Sequence, residues 1–354
     1  QTENLLRDGA SEIGRKEEAF QDLQREWASI CMEIDFNRPT EWMQNASEIL
    51  LSAIEMDRLA DMQREIAAVN EDFLEFLQES YVNIVSSTCG TKYPRIVTQV
   101  LPFISKQPDE KAALVVIDGM NYWQALLLTR SLEEHLNVRA KYDCIYAWLP
   151  SVTELSRQAI FRGDIPVVEY DQSPSSEAKL WKEFWSEKGV PAFQQYYQHS
   201  GSIAEEMSVN RLGYVVVDLD EKMHASDNFM YLYDATKRWV AEEEIVGNIR
   251  HLIDGGYKVY ITTDHGNIEA SAYRKLDSRD KLGANLSLRH ITLPAEADKA
   301  IFEAQYEGHL VQVDSASKTY YAKDKEAFTS KERCVTHGGA HWLEVLIPFI
   351  TIEK

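Results

Sequence analysis

The chain is poor in cysteine, has no long apolar run and carries too little positive charge to balance its acid. Its 354 residues include only Cys31, Cys89, Cys144 and Cys334, with no Cys-x-x-Cys pair and no dense spacing. That pattern excludes a disulfide framework and reads as the reduced thiols of a cytoplasmic protein. No apolar stretch approaches the length of a membrane span, and the amino end is polar and acidic rather than a basic signal followed by an apolar segment, so no membrane is expected as partner. Repeats and low-complexity tracts are absent. Lys and Arg number 37 against 57 Asp and Glu, a formal net charge of −20, and about half of the excess acid lies in the first hundred residues. Such a surface repels a phosphate backbone, which disfavours a long nucleic-acid groove unless metals or a local basic patch supply the attraction. Small phosphorylated substrates stay open. The length suits one large α/β domain with an appendage, or two ordinary domains. The opening Gln1, with no Met before it, points to a processed or cloned fragment.

Apolar periodicity is what the chain does have. Phe20, Leu23, Trp27, Ile30 and Cys31 recur at three and four residue intervals between charged positions, and a second periodic stretch runs from Glu41 to about Ile84. Both read as helices with one buried stripe, punctuated by Pro39 and by Gly90 to Pro94. Residues 1–110 are therefore expected to form an acidic helical region. From Lys111 the texture changes to short β-branched runs alternating with amphipathic helices, as in a layered α/β domain. The run ALVVI precedes a helix over Tyr122 to His135, GYVVV precedes a long helix from about Tyr233 to Asp254, and Gly255 and Gly256 release the chain into KVYITT. LEVLIPFITI reads as a last strand, and residues 273–330 as polar loops with shorter strands. The Trp- and Gln-rich segment within residues 171–210 reads as an insertion or lid.

Three of these runs end in aspartate: Asp118, then Asp218 and Asp220, then Asp264. In an open α/β sheet the carboxyl ends of parallel strands gather at one edge, so these groups are expected to meet there. Asp220 and His224 are one helical turn apart, with Asp218 as the rival ligand; Asp264 and His265 are adjacent; His337 stands in the Gly-rich turn THGGAH. Hard oxygen and imidazole donors of this kind suit one or two divalent metals and phosphoryl or related ester chemistry. In WLPSVTELSRQAIFRGD, Ser151 and Glu154 form a capping-box pattern that puts Thr153 in a first helical turn, where free N–H groups and the helix dipole favour phosphate. Arg157 follows one turn on. Each feature alone also fits a structural role, the cap as a plain cap, and His341 and Glu344 as a loop histidine and a surface carboxylate or as supports for ligands. One fold must place them all at strand ends, and together they outweigh the bland reading.

DGM after a strand, LPSVTELSRQAIFRG, DLDEKMH, TTDHG and HGGAHWLEVLIP together resemble the PglZ domain, a branch of the alkaline phosphatase superfamily found in bacterial phage-defence systems of the bacteriophage-exclusion type. The resemblance covers about Lys111 to Lys354. It implies an alkaline phosphatase-like layered sheet flanked by helices over residues 111–354. It also implies two ions, one held by Asp118, Thr153, Asp264 and His265 and the other by Asp220, His224 and His337. Zinc is the first expectation, with manganese and magnesium as alternatives. The implied reaction is a double displacement through Thr153, with Arg157 as the candidate grip on a non-bridging oxygen. Thr153, followed by Glu154 and Leu155, does not supply a sulfatase-type Cys/Ser-x-Pro-x-Arg motif. The function expected is a phosphodiesterase or phosphatase acting on a nucleotide or nucleic acid in phage defence, a nuclease included, with the diester preferred. The alternative is a metal-stabilised interaction subunit that docks other defence proteins and hydrolyses little.

Overall fold

The computed structural model describes residues 2–203, 208–242 and 244–354, with the side chains of residues 2–11 outside the description. Three long helices open the chain: α1 (Thr2–Cys31), α2 (Thr40–Glu55) and α3 (Gln63–Val85), followed by the short α4 (Val100–Ile104). A layered α/β unit follows. Its strands are β1 (Ala112–Ile117), β2 (Arg139–Tyr146), β3 (Gln195–His199), β4 (Arg211–Val216) and β5 (Lys258–Thr262), and its helices are α5 (Tyr122–Leu136), α6 (Thr153–Arg162), α7 (Pro174–Glu187), α8 (Asp218–His224), α9 (Phe229–Ala241) and α10 (Glu244–Asp254). The smaller elements are β6 (Ile268–Ala272), β7 (Asn285–Leu286), β8 (His290–Thr292), α11 (Lys299–Gln305), β9 (Leu310–Val311), β10 (Thr319–Ala322), β11 (Glu326–Ala327) and β12 (Arg333–Thr336). The chain then runs through α12 (Trp342–Val345) into β13 (Leu346–Glu353).

The main sheet has the order β2-β13-β5-β1-β4-β3. β1 runs parallel to β4 and β5, and β3 parallel to β4, while β13 is antiparallel to both β2 and β5. All six residues of β1 are buried. Ala112, Leu114 and Val116 join one apolar cluster, and Ala113, Val115 and Ile117 join another on the opposite face. A strand covered on both faces has no use for polar alternation, which is why this run reads as uninterrupted apolar sequence. Because β1, β2, β4 and β5 share one direction, Asp118, Thr153, Asp220 and Asp264 all follow carboxyl ends at the same edge.

The opening helices share the main core. Phe20, Leu23 and Trp27 of α1 belong to the same buried cluster as Trp342 of α12. The Trp342 ring lies 6.3 Å from Trp27 and 5.2 Å from Trp42, and its backbone N–H donates to Asn70 Oδ1 at 3.3 Å. Burying an aromatic side chain of this size stabilises a fold by roughly 3–5 kcal/mol relative to alanine. The helical layer is thereby keyed to the strand that follows the Gly-rich turn. Residues 273–330 contribute all of a four-stranded sheet, β7-β8-β10-β9, as the short-strand pattern anticipates, and β6, β11 and β12 form a third small sheet.

One local expectation is corrected, and the 171–210 segment is placed. The long helix from Tyr233 to Asp254 is two helices, α9 starting earlier at Phe229 under an Asn228 cap whose side chain accepts from the Tyr231 N–H at 3.0 Å, and α10 starting at Glu244. The segment over residues 171–210 supplies α7 and the edge strand β3 of the main sheet, with residues 204–207 outside the description. Cys31, Cys89, Cys144 and Cys334 are all free thiols. Among the described residues no helix is long and apolar enough to cross a membrane.

Candidate metal centre

Seven side chains proposed from the sequence meet at the carboxyl edge of the main sheet in two adjoining groups. Asp118, Asp264 and His265 each offer a ligand atom within 4.8 Å of the others, as do Asp220, His224 and His337. Thr153 completes the set, its Oγ1 3.1 Å from His265 Nε2. The His265 and His337 rings stack at 3.7 Å between centroids and 6° between planes, which places the two groups side by side.

Four of the candidate ligands are turned toward the centre by a second contact. His265 Nδ1–H donates to the Gly266 carbonyl at 2.8 Å and His337 Nδ1–H to the Ser151 carbonyl at 3.0 Å, so both rings turn Nε2 to the site. Asp264 Oδ1 accepts from the N–H groups of Gly119 and His265, both at 3.1 Å, which frees Oδ2. Asp118 Oδ2 accepts from Arg157 Nη1 at 2.6 Å, which frees Oδ1. His224 Nε2 stands 3.4 Å from Asp220 Oδ1 across one turn of α8, as the spacing predicts. The rival Asp218 instead accepts from Trp239 Nε1 at 3.3 Å. Gly119 sits between the groups at φ +67°; a Cβ there would meet Asp220 Oδ1 at 3.3 Å and His265 Cε1 at 3.5 Å, so the turn after β1 needs glycine for both its dihedral and its space.

The donor set passes a test for a cation. Asp118 Oδ1, Asp220 Oδ1 and Asp264 Oδ2 are buried and hydrogen-bonded to nothing, and an uncompensated buried carboxylate oxygen is expensive. Burial, and then the charge of Asp264, push the Asp118 carboxyl well above its ordinary range. Burial and the neighbouring His265 pull His337 down to about 4, which keeps it neutral and fit to bind metal. Carboxylate oxygen with imidazole nitrogen suits zinc or manganese better than a thiol-seeking ion.

Around this centre the structure also corrects the sequence reading. Ser151 and Glu154 do not form a capping box: α6 follows Val152, with no side-chain cap. Ser151 Oγ donates instead to the Gly339 carbonyl at 2.7 Å, so the residue ties the Thr153 turn to the His337 loop. Arg157 is 5 % exposed, and its Nε donates to Glu177 Oε1 at 2.6 Å. Glu177, fully buried on α7, also accepts from Tyr197 and Gln172. Nothing local marks Glu177 as functional, since it stands among polar residues of a surface helix pattern. His341 caps α12, its Nδ1 accepting from the Leu343 N–H at 3.1 Å, and Glu344 is fully buried rather than a surface carboxylate.

The chain has solved relatives by shape. At a TM-score of 0.45 and 10% identity, 68% of it overlays 87% of murine ectonucleotide pyrophosphatase/phosphodiesterase 5. At 0.42 and 14%, 69% of it overlays 90% of phosphonoacetate hydrolase from Sinorhizobium meliloti 1021 in complex with phosphonoformate. The human form of the first protein gives 0.43 and 12%, over 69% of this chain and 87% of that one. No curated protein sequence matches this chain. The sequence profile of the BREX system PglZ alkaline phosphatase-like domain matches residues 96–352, somewhat more of the amino-terminal side than the five motifs span. With nearly three quarters of its length inside that profile and an α/β layered sheet carrying the paired ligand groups, the chain belongs to the PglZ family of alkaline phosphatase-like domains.

Proposed function

We propose that this protein is a metal-dependent phosphodiesterase that uses Thr153 as nucleophile at a two-ion site and acts on a nucleotide or nucleic acid in phage defence. The observation that carries the reading is the Thr153 hydroxyl beside His265, next to two three-residue candidate ligand groups whose inward carboxylate oxygens accept no hydrogen bond. Asp118, Thr153, Asp264 and His265 hold one ion, and Asp220, His224 and His337 hold the other. Bound there, zinc or a similar divalent ion lowers the pKa of the attacking hydroxyl and offsets charge on the entering and leaving oxygens.

Thr153 opens α6, so the free N–H groups and positive end of that helix face the phosphate it attacks. The threonine oxygen forms a bond to phosphorus as the leaving oxygen departs with its electron pair, and water then cleaves the phosphothreonine. Arg157 fixes Asp118 through Nη1 and Glu177 through Nε, and is the candidate grip on a non-bridging oxygen. Its charge is already matched by those two carboxylates. Little positive charge is left for the second ionisation of a monoester, and this favours the diester. Membership of the PglZ family supports the defence setting.

The test is metal analysis with hydrolysis of bis(p-nitrophenyl) phosphate and p-nitrophenyl phosphate. Thr153→Ala is expected to keep its metal and lose diester turnover by at least about a hundredfold. A variant with wild-type turnover removes Thr153 from the reaction, and a wild type that binds two ions but cleaves neither ester favours an interaction subunit.

A further inference from the structure

The His337 loop rests on an ion pair that the ligand set does not include. Arg289 precedes β8 in the small four-stranded sheet, and Glu344 lies in α12, yet the two side chains meet at 1 % and 0 % exposure. Arg289 Nε donates to Glu344 Oε1 at 3.1 Å and Nη2 to Oε2 at 3.0 Å, a bidentate pair. The other donor capacity of Arg289 goes to the carbonyls of Glu326 and, at 2.6 Å, Asp324. Glu344 in turn accepts from the Gly339 N–H at 2.9 Å and the His341 N–H at 3.1 Å. Those two N–H groups belong to the turn that carries His337. The fit is close: a Cβ on Gly339 would stand 2.5 Å from Glu344 Oε2 and 2.8 Å from Arg289 Nη2.

We infer that Arg289 and Glu344 are positioning residues for the second ion, holding the Gly338-Gly339 turn so that His337 Nε2 completes the group with Asp220 and His224. The inference rests on the two-ion reading given above. A buried ion pair adds little net stability over a well-packed apolar pair, because desolvation cancels most of the attraction. What it does supply is direction. Four hydrogen bonds from one carboxylate and one guanidinium fix backbone from two separate segments, 324–326 and the turn 339–341, around one point. The small sheet, whose β7–β8 turn carries Arg289, is thereby keyed to His337. The first group draws its ligands from the ends of β1, β2 and β5; its tie to α12 runs through backbone, the Gly266 N–H donating to the Glu344 carbonyl at 2.9 Å, and not through the Arg289 and Glu344 side chains.

The experiment is zinc stoichiometry and competition with a chromophoric chelator, on the full chain, for wild type, His337→Ala, Arg289→Lys, Glu344→Gln and Gly339→Ala. Wild type is expected to bind two ions and His337→Ala one tight ion. Arg289→Lys, Glu344→Gln and Gly339→Ala are expected to weaken one ion by about 10- to 100-fold, the usual effect of losing a group that orients a ligand, and to leave the other unchanged. Excess zinc should restore occupancy in these three and not in His337→Ala. Two full-affinity ions in all three variants would overturn the inference while leaving the two-ion reading intact. Equal weakening of both ions, or global unfolding of Arg289→Lys as well as Glu344→Gln, would overturn it too, by assigning the pair to the fold as a whole. A wild type that binds fewer than two ions would instead sink the reading on which it rests.

Discussion

Stripping the metal should lower the thermal stability of this protein by an amount that can be worked out. Asp118, Asp220 and Asp264 each keep one buried oxygen without a hydrogen-bond partner, and Asp118 and Asp264 are 4 % and 0 % exposed. Unfolding exposes these groups to water and breaks up both ligand sets, so ions bind the native chain far better than the unfolded one. An ion present at a hundred times its dissociation constant adds about 2.7 kcal/mol to the native state, and two add about 5.4 kcal/mol. The entropy of unfolding scales with length at about 2.1 cal/mol/K per residue, or about 0.74 kcal/mol/K for a chain of 354 residues, so chelation should shift Tm downward by about 7 °C. Trp123, Trp181, Trp185 and Trp342 are fully buried, and their intrinsic fluorescence reports the transition directly. Asp264→Asn, which disables one group, should show about half the response to added zinc. The reasoning fails if zinc-loaded and chelator-treated protein melt together, or if Asp264→Asn responds as fully as wild type.

Glu177→Gln leaves the Arg157 guanidinium buried beside a neutral amide and takes a charged acceptor from Tyr197 and Gln172, so urea unfolding should show a loss of about 3 kcal/mol; a loss below about 1 kcal/mol would mean that the network is not what holds Arg157 in place. Burial pushes the Asp143 carboxyl up to about 6 against the pull of Lys141, above the unfolded value of about 3.9. Its contribution is therefore intact below pH ~4 and lost as the pH rises through about 6, beyond which the charged group opposes folding. Asp143→Asn should raise Tm at pH 8 and leave it nearly unchanged at pH 4, and equal shifts at both would refute the assignment.

Much of the candidate site was legible because its residues carry their geometry in short spacings. Asp220 and His224 are one helical turn apart wherever α8 lies, and Asp264 and His265 share the turn after an apolar strand. Gly119 marks the place where backbone must pass between two polar groups. Arg289 and Glu177 were not legible, and Glu344 was legible only as a surface carboxylate or a support for ligands. Their partners are 55, 20 and 55 positions away, and a carboxylate that will be buried looks in sequence like any other on a polar helix. Ser151 misled for a related reason: a capping pattern states what a hydroxyl can reach locally, and here Gly339, distant in sequence, won the hydroxyl.

By itself the sequence determined the local conformations and the chemical inventory: uninterrupted apolar strands because both faces are covered, acid and imidazole at their ends, a threonine at the start of a helix. Local interactions have a fixed period and range, so they can be read from neighbours. Tertiary structure alone decided that β13 enters antiparallel between β2 and β5, that the opening helices close over Trp342, and that two buried Arg–Glu pairs stand behind the ligands. Those outcomes depend on which distant surfaces exclude water together, and no stretch of neighbouring residues records that choice.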